Sequence, residues 1–194
     1  PDAIMALRFF KEDYPQLHVI AAGSLLEFTL QEIPTFGVGR IHSLFMYPFT
    51  FDEFLTATEN FGLLEAKRDA NTREPLDEPF HNQLTDLFRI YLLVGGMPEA
   101  VTTWAKTKDF GACQRVLRDI ILTYEDDFNK YSRRIHPELL RITLHGVCHQ
   151  IGQKLTFNLI SDGHRSYQIR EALHLLTLAG IITPVVATAA NGFP

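Results

Sequence analysis

Apolar residues along this chain follow two rhythms. The commoner one steps by threes and fours. Ile4, Leu7, Phe10 and Tyr14 keep it over residues 3–13, which predicts an amphipathic helix ended by Pro15. Leu84, Leu87, Phe88, Tyr91 and Leu92 keep it as far as Gly95-Gly96, a natural helix stop. Pro98 stands at the first turn of a further helix over 99–106. The longest predicted helix covers 110–131, with Phe110, Cys113, Leu117, Ile120, Tyr124, Phe128 and Tyr131 on one stripe. The second rhythm is the short unbroken run. Residues 17–22 (LHVIAA), stopped by Gly23-Ser24, and 41–47 (IHSLFMY), closed by Pro48, have the signature of buried strands. Between them, 25–30 reads as a turn or two of helix and 35–39 as a flexible connector. Thr50 and Glu53 have capping-box spacing and open a helix over 51–58. Residues 66–79 carry charges, turn formers and two prolines, which predicts a surface loop.

The last third changes texture. Three short helices are expected, over 137–150, 155–160 and 166–178, with a turn at Asp162-Gly163 and a stop at Gly180. A β-branched strand over 181–187 and a hairpin-turn signal at Asn191-Gly192 follow. That order is the order of a winged helix-turn-helix, ending where the wing's returning strand should begin. The fold class is therefore expected to be mainly α with a partial α/β portion.

Composition narrows the class without choosing a function. The 194 residues are 46% hydrophobic and 21% charged, ordinary for a globular chain with a real core. No apolar run is long enough to cross a membrane, no signal peptide is visible, and two cysteines make no disulfide framework, so a cytoplasmic, non-membrane protein is expected. Charge is uneven. Residues 1–127 carry 11 Lys or Arg against 20 Asp or Glu, a balance of −9, while residues 128–194 carry 7 against 3, a balance of +4. The basic module is a candidate for an anionic partner.

Three stretches carry a family resemblance. The first is Leu17-His18-Val19-Ile20-Ala21-Ala22-Gly23-Ser24-Leu25-Leu26-Glu27, then Gly39-Arg40, then Tyr47-Pro48-Phe49-Thr50-Phe51-Asp52-Glu53-Phe54-Leu55. The second is Tyr91-Leu92-Leu93-Val94-Gly95-Gly96-Met97-Pro98-Glu99, and the third runs from Tyr124 to Tyr131 into the helix-turn-helix pattern and Ala190-Asn191-Gly192-Phe193-Pro194. In order and spacing they resemble the predicted AAA+ superfamily ATPases of bacteria and archaea whose C-terminal half is a domain of unknown function. The resemblance implies three parts: residues 1–60 as the C-terminal end of a P-loop ATPase core, 61–131 as a helical lid or linker bundle, and 132–194 as a winged helix-turn-helix with a truncated wing. It implies ATP and Mg²⁺ as cofactors of an intact parent, which hydrolyses ATP to act on a nucleic acid or protein partner. The family's glycine-rich phosphate loop, acidic Walker B strand and final nuclease-like fold are not found here. The expectation is an internal fragment that begins just after Walker B, and that alone binds no cofactor and is inactive.

Candidate residues follow. Ser24 stands just past the end of a predicted parallel strand, where open α/β sheets bind ligands. The resemblance makes it sensor-1-like, while its residue type also suits a turn or helix cap. Arg40 carries a fixed charge suited to a transition-state phosphate, as an arginine finger on a neighbouring copy or a sensor in cis, or it is a surface cation. Asp52 and Glu53 read as helix-capping residues. Glu125, Asp126 and Asp127 point different ways around a helix and read as a solvated face. His145 and His149 have zinc-ligand spacing, but Gly146 stands where a metalloprotease needs Glu, and no metal is expected. Arg165, Ser166, Gln168 and Arg170 fall at the start of the third short helix, where a recognition helix meets base edges and phosphates of duplex DNA. The alternative is a non-enzymatic DNA-binding or protein-interaction winged-helix module, with the apolar surface around Leu175 and Leu178 as the docking face in the protein-interaction case.

Overall fold

Thr50 and Glu53 form the box that their spacing predicts. The Glu53 carboxylate accepts from the Thr50 backbone N–H at 2.7 Å, and the Thr50 hydroxyl accepts from the Glu53 N–H at 3.3 Å. Two donors left open by a helix start are thus satisfied, and the bonds from Thr50 hold the Glu53 carboxyl below its ordinary pKa. From this cap the computed structural model, which describes residues 9, 10, 12–21, 42, 44–131 and 134–187, is built of helices. We label them α1 (Phe51–Ala57), α2 (Phe61–Asp69), α3 (Glu78–Val94), α4 (Pro98–Thr107), α5 (Phe110–Asp127), α6 (Pro137–Cys148) and α7 (Ser166–Leu178). Two 3-10 turns, Phe128–Tyr131 and Phe157–Leu159, complete the helical elements of the described residues. The chain divides into two compact units, Phe45–Asp126 and Asp127–Pro194 with Pro1–Leu44.

In the unit Phe45–Asp126, α1 packs against α2, α3 and α4. Its adjacent residues Phe54 and Leu55 are both fully buried and serve two clusters. Phe54 joins Val94, Val101, Trp104 and Cys113, while Leu55 joins Leu64 and Leu84. Phe51, Phe54, Phe88 and Tyr91 form an aromatic group with Phe51–Phe88 centroids 5.2 Å apart, edge to face, the arrangement favoured by ring quadrupoles. Two of the stretches that carry the family resemblance meet here. The Phe49 N–H donates to the Gly96 carbonyl at 2.7 Å, and the Tyr91 hydroxyl donates to the Phe49 carbonyl at 2.7 Å. Gly95, at φ +73°, turns the chain out of α3, and a Cβ on Gly96 would overlap the Phe49 backbone. Both glycines are therefore required by geometry. The Cys113 thiol lies 3.5 Å from the Ala100 carbonyl in the same core.

The loop predicted over 66–79 is shorter than expected, because α2 continues to Asp69. Leu64 is buried, and at the helix end Lys67 and Arg68 pair with Asp52 of α1 at 2.8 and 3.5 Å. Asp52 thus ties two helices together rather than capping one. Its carboxyl is held below the usual range, first by the Lys67 hydrogen bond.

In the second unit, α6 and α7 pack around Phe128, Ile135, Leu139, Leu140, Leu144, Ala172, Leu175 and Leu176. The first and third predicted short helices are present, but the second, expected over 155–160, is only the three-residue 3-10 turn. The segment is pinned at both ends. The buried Gln150 amide accepts from the Thr156 N–H at 2.7 Å and donates to the Gly146 and Thr156 carbonyls at 3.3 and 3.2 Å. Gly146 lets Ile160 rest directly on α6, where a Cβ would stand 2.8 Å from the Ile160 Cα. Too few residues remain between these anchors to recover the cost of helix nucleation.

The three predicted strands are not formed among the described residues. Residues 17–21, 44–47 and 181–187 have no regular structure. β-branched and aromatic side chains favour a pleated surface, but a strand exists only as part of a ladder, and none of these segments has a described partner strand. Ile20, Met46 and Val185 are accordingly 96%, 99% and 93% exposed. Ile181 and Ile182 turn back instead, donating to the Leu176 carbonyl at 3.0 and 3.4 Å and packing on the core. The described fold is mainly α, without the expected α/β portion or wing strand. Of the first predicted helix, Phe9, Phe10, Glu12 and Asp13 are helical and the Tyr14 N–H closes on Phe10 before Pro15. Its remainder, residues 22–30, the connector over 35–39 and the Asn191-Gly192 turn lie outside the described residues.

Candidate functional site

Ser24 and Arg40, the candidate ATPase residues, lie outside the described residues. The four candidates of the basic module are described, and they share the leading turns of α7. Arg165 is the N-cap residue and Ser166 the first helical one, both exposed. Gln168 is occupied locally. Its amide oxygen accepts from the Arg165 backbone N–H at 3.0 Å, and its own N–H donates to the Arg165 carbonyl at 2.9 Å. Gln168 therefore caps the helix, and a bidentate contact to an adenine edge would need that oxygen back. The Arg170 guanidinium lies 6.0 Å from the centroid of the Phe157 ring, a cation–π distance that links α7 to the 3-10 turn.

Sequence reasoning missed the neighbouring line of α7. His164, Tyr167, Gln168 and Glu171 follow one another at helical spacing and line a cleft of about 330 Å³ within this unit. Tyr167 is 61% exposed. The His164 Nδ1 stands 2.8 Å from the Ser161 hydroxyl, which fixes the turn leading into the helix. The opposite side of the cleft comes from Arg134 to Leu139, at the start of α6. The i, i+3, i+4, i+7 spacing from 164 onward is the sequence signal for this line.

The remaining candidates are placed simply. His145, Cys148 and His149 are exposed on the last turn of α6, and His149 is its C-cap residue. Among the described residues no three His, Cys, Asp or Glu side chains come together as a metal-binding group. Glu125, Asp126 and Asp127 sit on the last turn of α5. Leu175 is only 4% exposed and belongs to the core, so it offers no docking face. The i, i+3 spacing of Leu175 and Leu178 marked the buried side of α7.

Residues 85–193, more than half of the chain, match the family described as domain of unknown function DUF8612. The chain belongs to that family. Residues 1–55 match an AAA domain, which relates the N-terminal end to AAA-type ATPases. Neither a curated protein nor a solved structure matches. The AAA match ends at Leu55 within α1, and the DUF8612 match begins at residue 85 within α3. Among the described residues no helix is long and apolar enough to cross a membrane.

Proposed function

We propose that this chain is part of an AAA-type ATPase in which residues 1–60 end the nucleotide-binding core, 61–131 form its lid and 132–194 form a winged-helix module. The observation that carries the reading is the succession, in one chain, of an AAA match over 1–55 and a DUF8612 match over 85–193. In this reading Ser24 orients the γ-phosphate or the attacking water, and Arg40 reaches a phosphate in cis or in a neighbouring copy of a homo-oligomer. The whole assembly works in the cytoplasm, where ATP hydrolysis drives a change in a nucleic acid or protein partner. The sequence has no Gly-x-x-x-x-Gly-Lys-Ser/Thr loop, and the described acidic residues make no site for Mg²⁺. The sequence thus lacks the phosphate loop, and the described residues lack the Mg²⁺-holding acid, so this reading assigns ATP binding and hydrolysis to the intact parent. Isothermal titration of the chain with ATP and Mg²⁺ should show no appreciable heat. Micromolar binding would defeat the fragment reading.

A second reading, a nucleic-acid-binding module without enzymatic activity, is favoured by the +4 balance of residues 128–194 and by the exposed Arg165 and Arg170 beside the leading turns of α7. Replacing both arginines with Ala should weaken duplex binding and reduce the slope of log affinity against log salt by roughly two. Absence of salt-sensitive binding at low ionic strength would leave a protein-contact role for the module.

A further inference from the structure

The cleft beside α7 has a chemistry that the arginines alone do not explain. Ile135 and Leu139, both buried, give it an apolar lining, and the Tyr167 ring is largely exposed at its margin. Arg134, His136, His164 and Gln168 add basic and polar groups, while Glu138 and Glu171 bring two carboxylates. A Glu carboxylate suits an amino group, since it accepts from the exocyclic amine of a base. A volume of about 330 Å³ lies at the small end of ligand pockets, too confined for a helix and ample for one flat ring system. On the α7 surface Tyr167 stands between this cleft and the exposed, positively charged Arg170.

We propose that the cleft receives an unstacked nucleobase from a bound strand, with Tyr167 as its stacking surface and the arginines beside it holding the flanking phosphates. This rests on the nucleic-acid reading of the module and names the partner: a strand with an unpaired or extruded base rather than an undistorted duplex. Base–aromatic stacking tolerates every base, so the preference is for unpairing and not for sequence. Glu138 shares its carboxylate with Arg141 at 3.4 Å, which leaves Glu171 as the acceptor for a base amine.

The test uses the 194-residue chain and three labelled DNAs: a perfect duplex, the same duplex with one bulged 2-aminopurine, and the bulge-containing strand alone. Anisotropy should give the bulged and single-stranded DNAs about tenfold tighter binding than the duplex, with altered 2-aminopurine emission on binding. Tyr167→Ala should abolish the preference and Tyr167→Phe should keep it, with unchanged melting temperatures because the side chain is exposed. Equal affinity for all three DNAs, or a preference that survives Tyr167→Ala, overturns the proposal while leaving the nucleic-acid reading intact. No binding to any DNA removes both. Tyr167-dependent binding of adenosine monophosphate, with no preference among the strands, would assign the cleft to a free nucleotide and overturn the strand source.

Discussion

The two units use their distinctive residues in opposite ways. In Phe45–Asp126 the stretches Tyr47-Pro48-Phe49-Thr50, inside the AAA match, and Tyr91 to Pro98, inside the DUF8612 match, are consumed by folding. Gly96 admits the Phe49 backbone, Tyr91 bonds its carbonyl, and Phe51 and Phe54 fill the cores. In the second unit the core is an ordinary aliphatic one, while Arg165, Tyr167 and Arg170 stand in solvent. A motif can be specific because it packs or because it binds. Position in the sequence does not distinguish the two, but burial does.

Substitutions at the packed glycines test whether each unit depends on its own close contact. Gly96→Ala should have the largest effect, because the added Cβ meets Phe49 main-chain atoms that cannot rotate away. A loss of about 3 kcal/mol is expected, with hydrogen exchange rising across α1, α3 and α4. Unchanged protection there would show that the Phe49–Gly96 contact does not organise the unit. Gly146→Ala is the counterpart in the second unit, forcing Ile160 off α6 at a cost of about 2 kcal/mol. Faster exchange should then appear in α6 and the 156–161 segment. If each glycine variant loosened both units equally, the units would not be separate in stability.

Tyr91→Phe keeps the aromatic group and removes only the 2.7 Å bond to Phe49. About 1 kcal/mol should be lost in urea denaturation. The smallest effect concerns acid. Asp52 and Glu53 both have folded pKa values below their ordinary 3.8 and 4.5. A carboxylate depressed on folding contributes stability that is present above its unfolded pKa and is lost as pH falls through the folded one. Melting temperature should therefore decline below about pH 4, and Asp52→Asn should flatten that decline. An equally steep acid limb in the variant would place the titrating groups elsewhere.

Much of the helical framework was readable beforehand. Pro98, Pro137 and Gly180 mark true helix limits, the Thr50–Glu53 box is present, and α7 has the boundaries that its periodicity gives. The expected strands are not formed among the described residues for a physical reason: a run such as LHVIAA records a preference for a partner, and the partner is not contained in the run. The second short helix was misread because Gln150 and Gly146 act on it from outside its own sequence. At the candidate site, exposed arginines were found from charge, whereas the capping role of Gln168 depends on a backbone hydrogen bond and the cleft depends on α6.

The chain also carries its own pair of chemical probes. Cys148 is exposed, whereas Cys113 is sealed among Ala100, Val101 and Trp104, and burial pushes its thiol pKa up. An alkylating reagent should mark Cys148 at once and reach Cys113 only when the core of its unit opens. The delay between the two modifications is thus a built-in clock for one unit's breathing, readable by mass alone and requiring no engineered label.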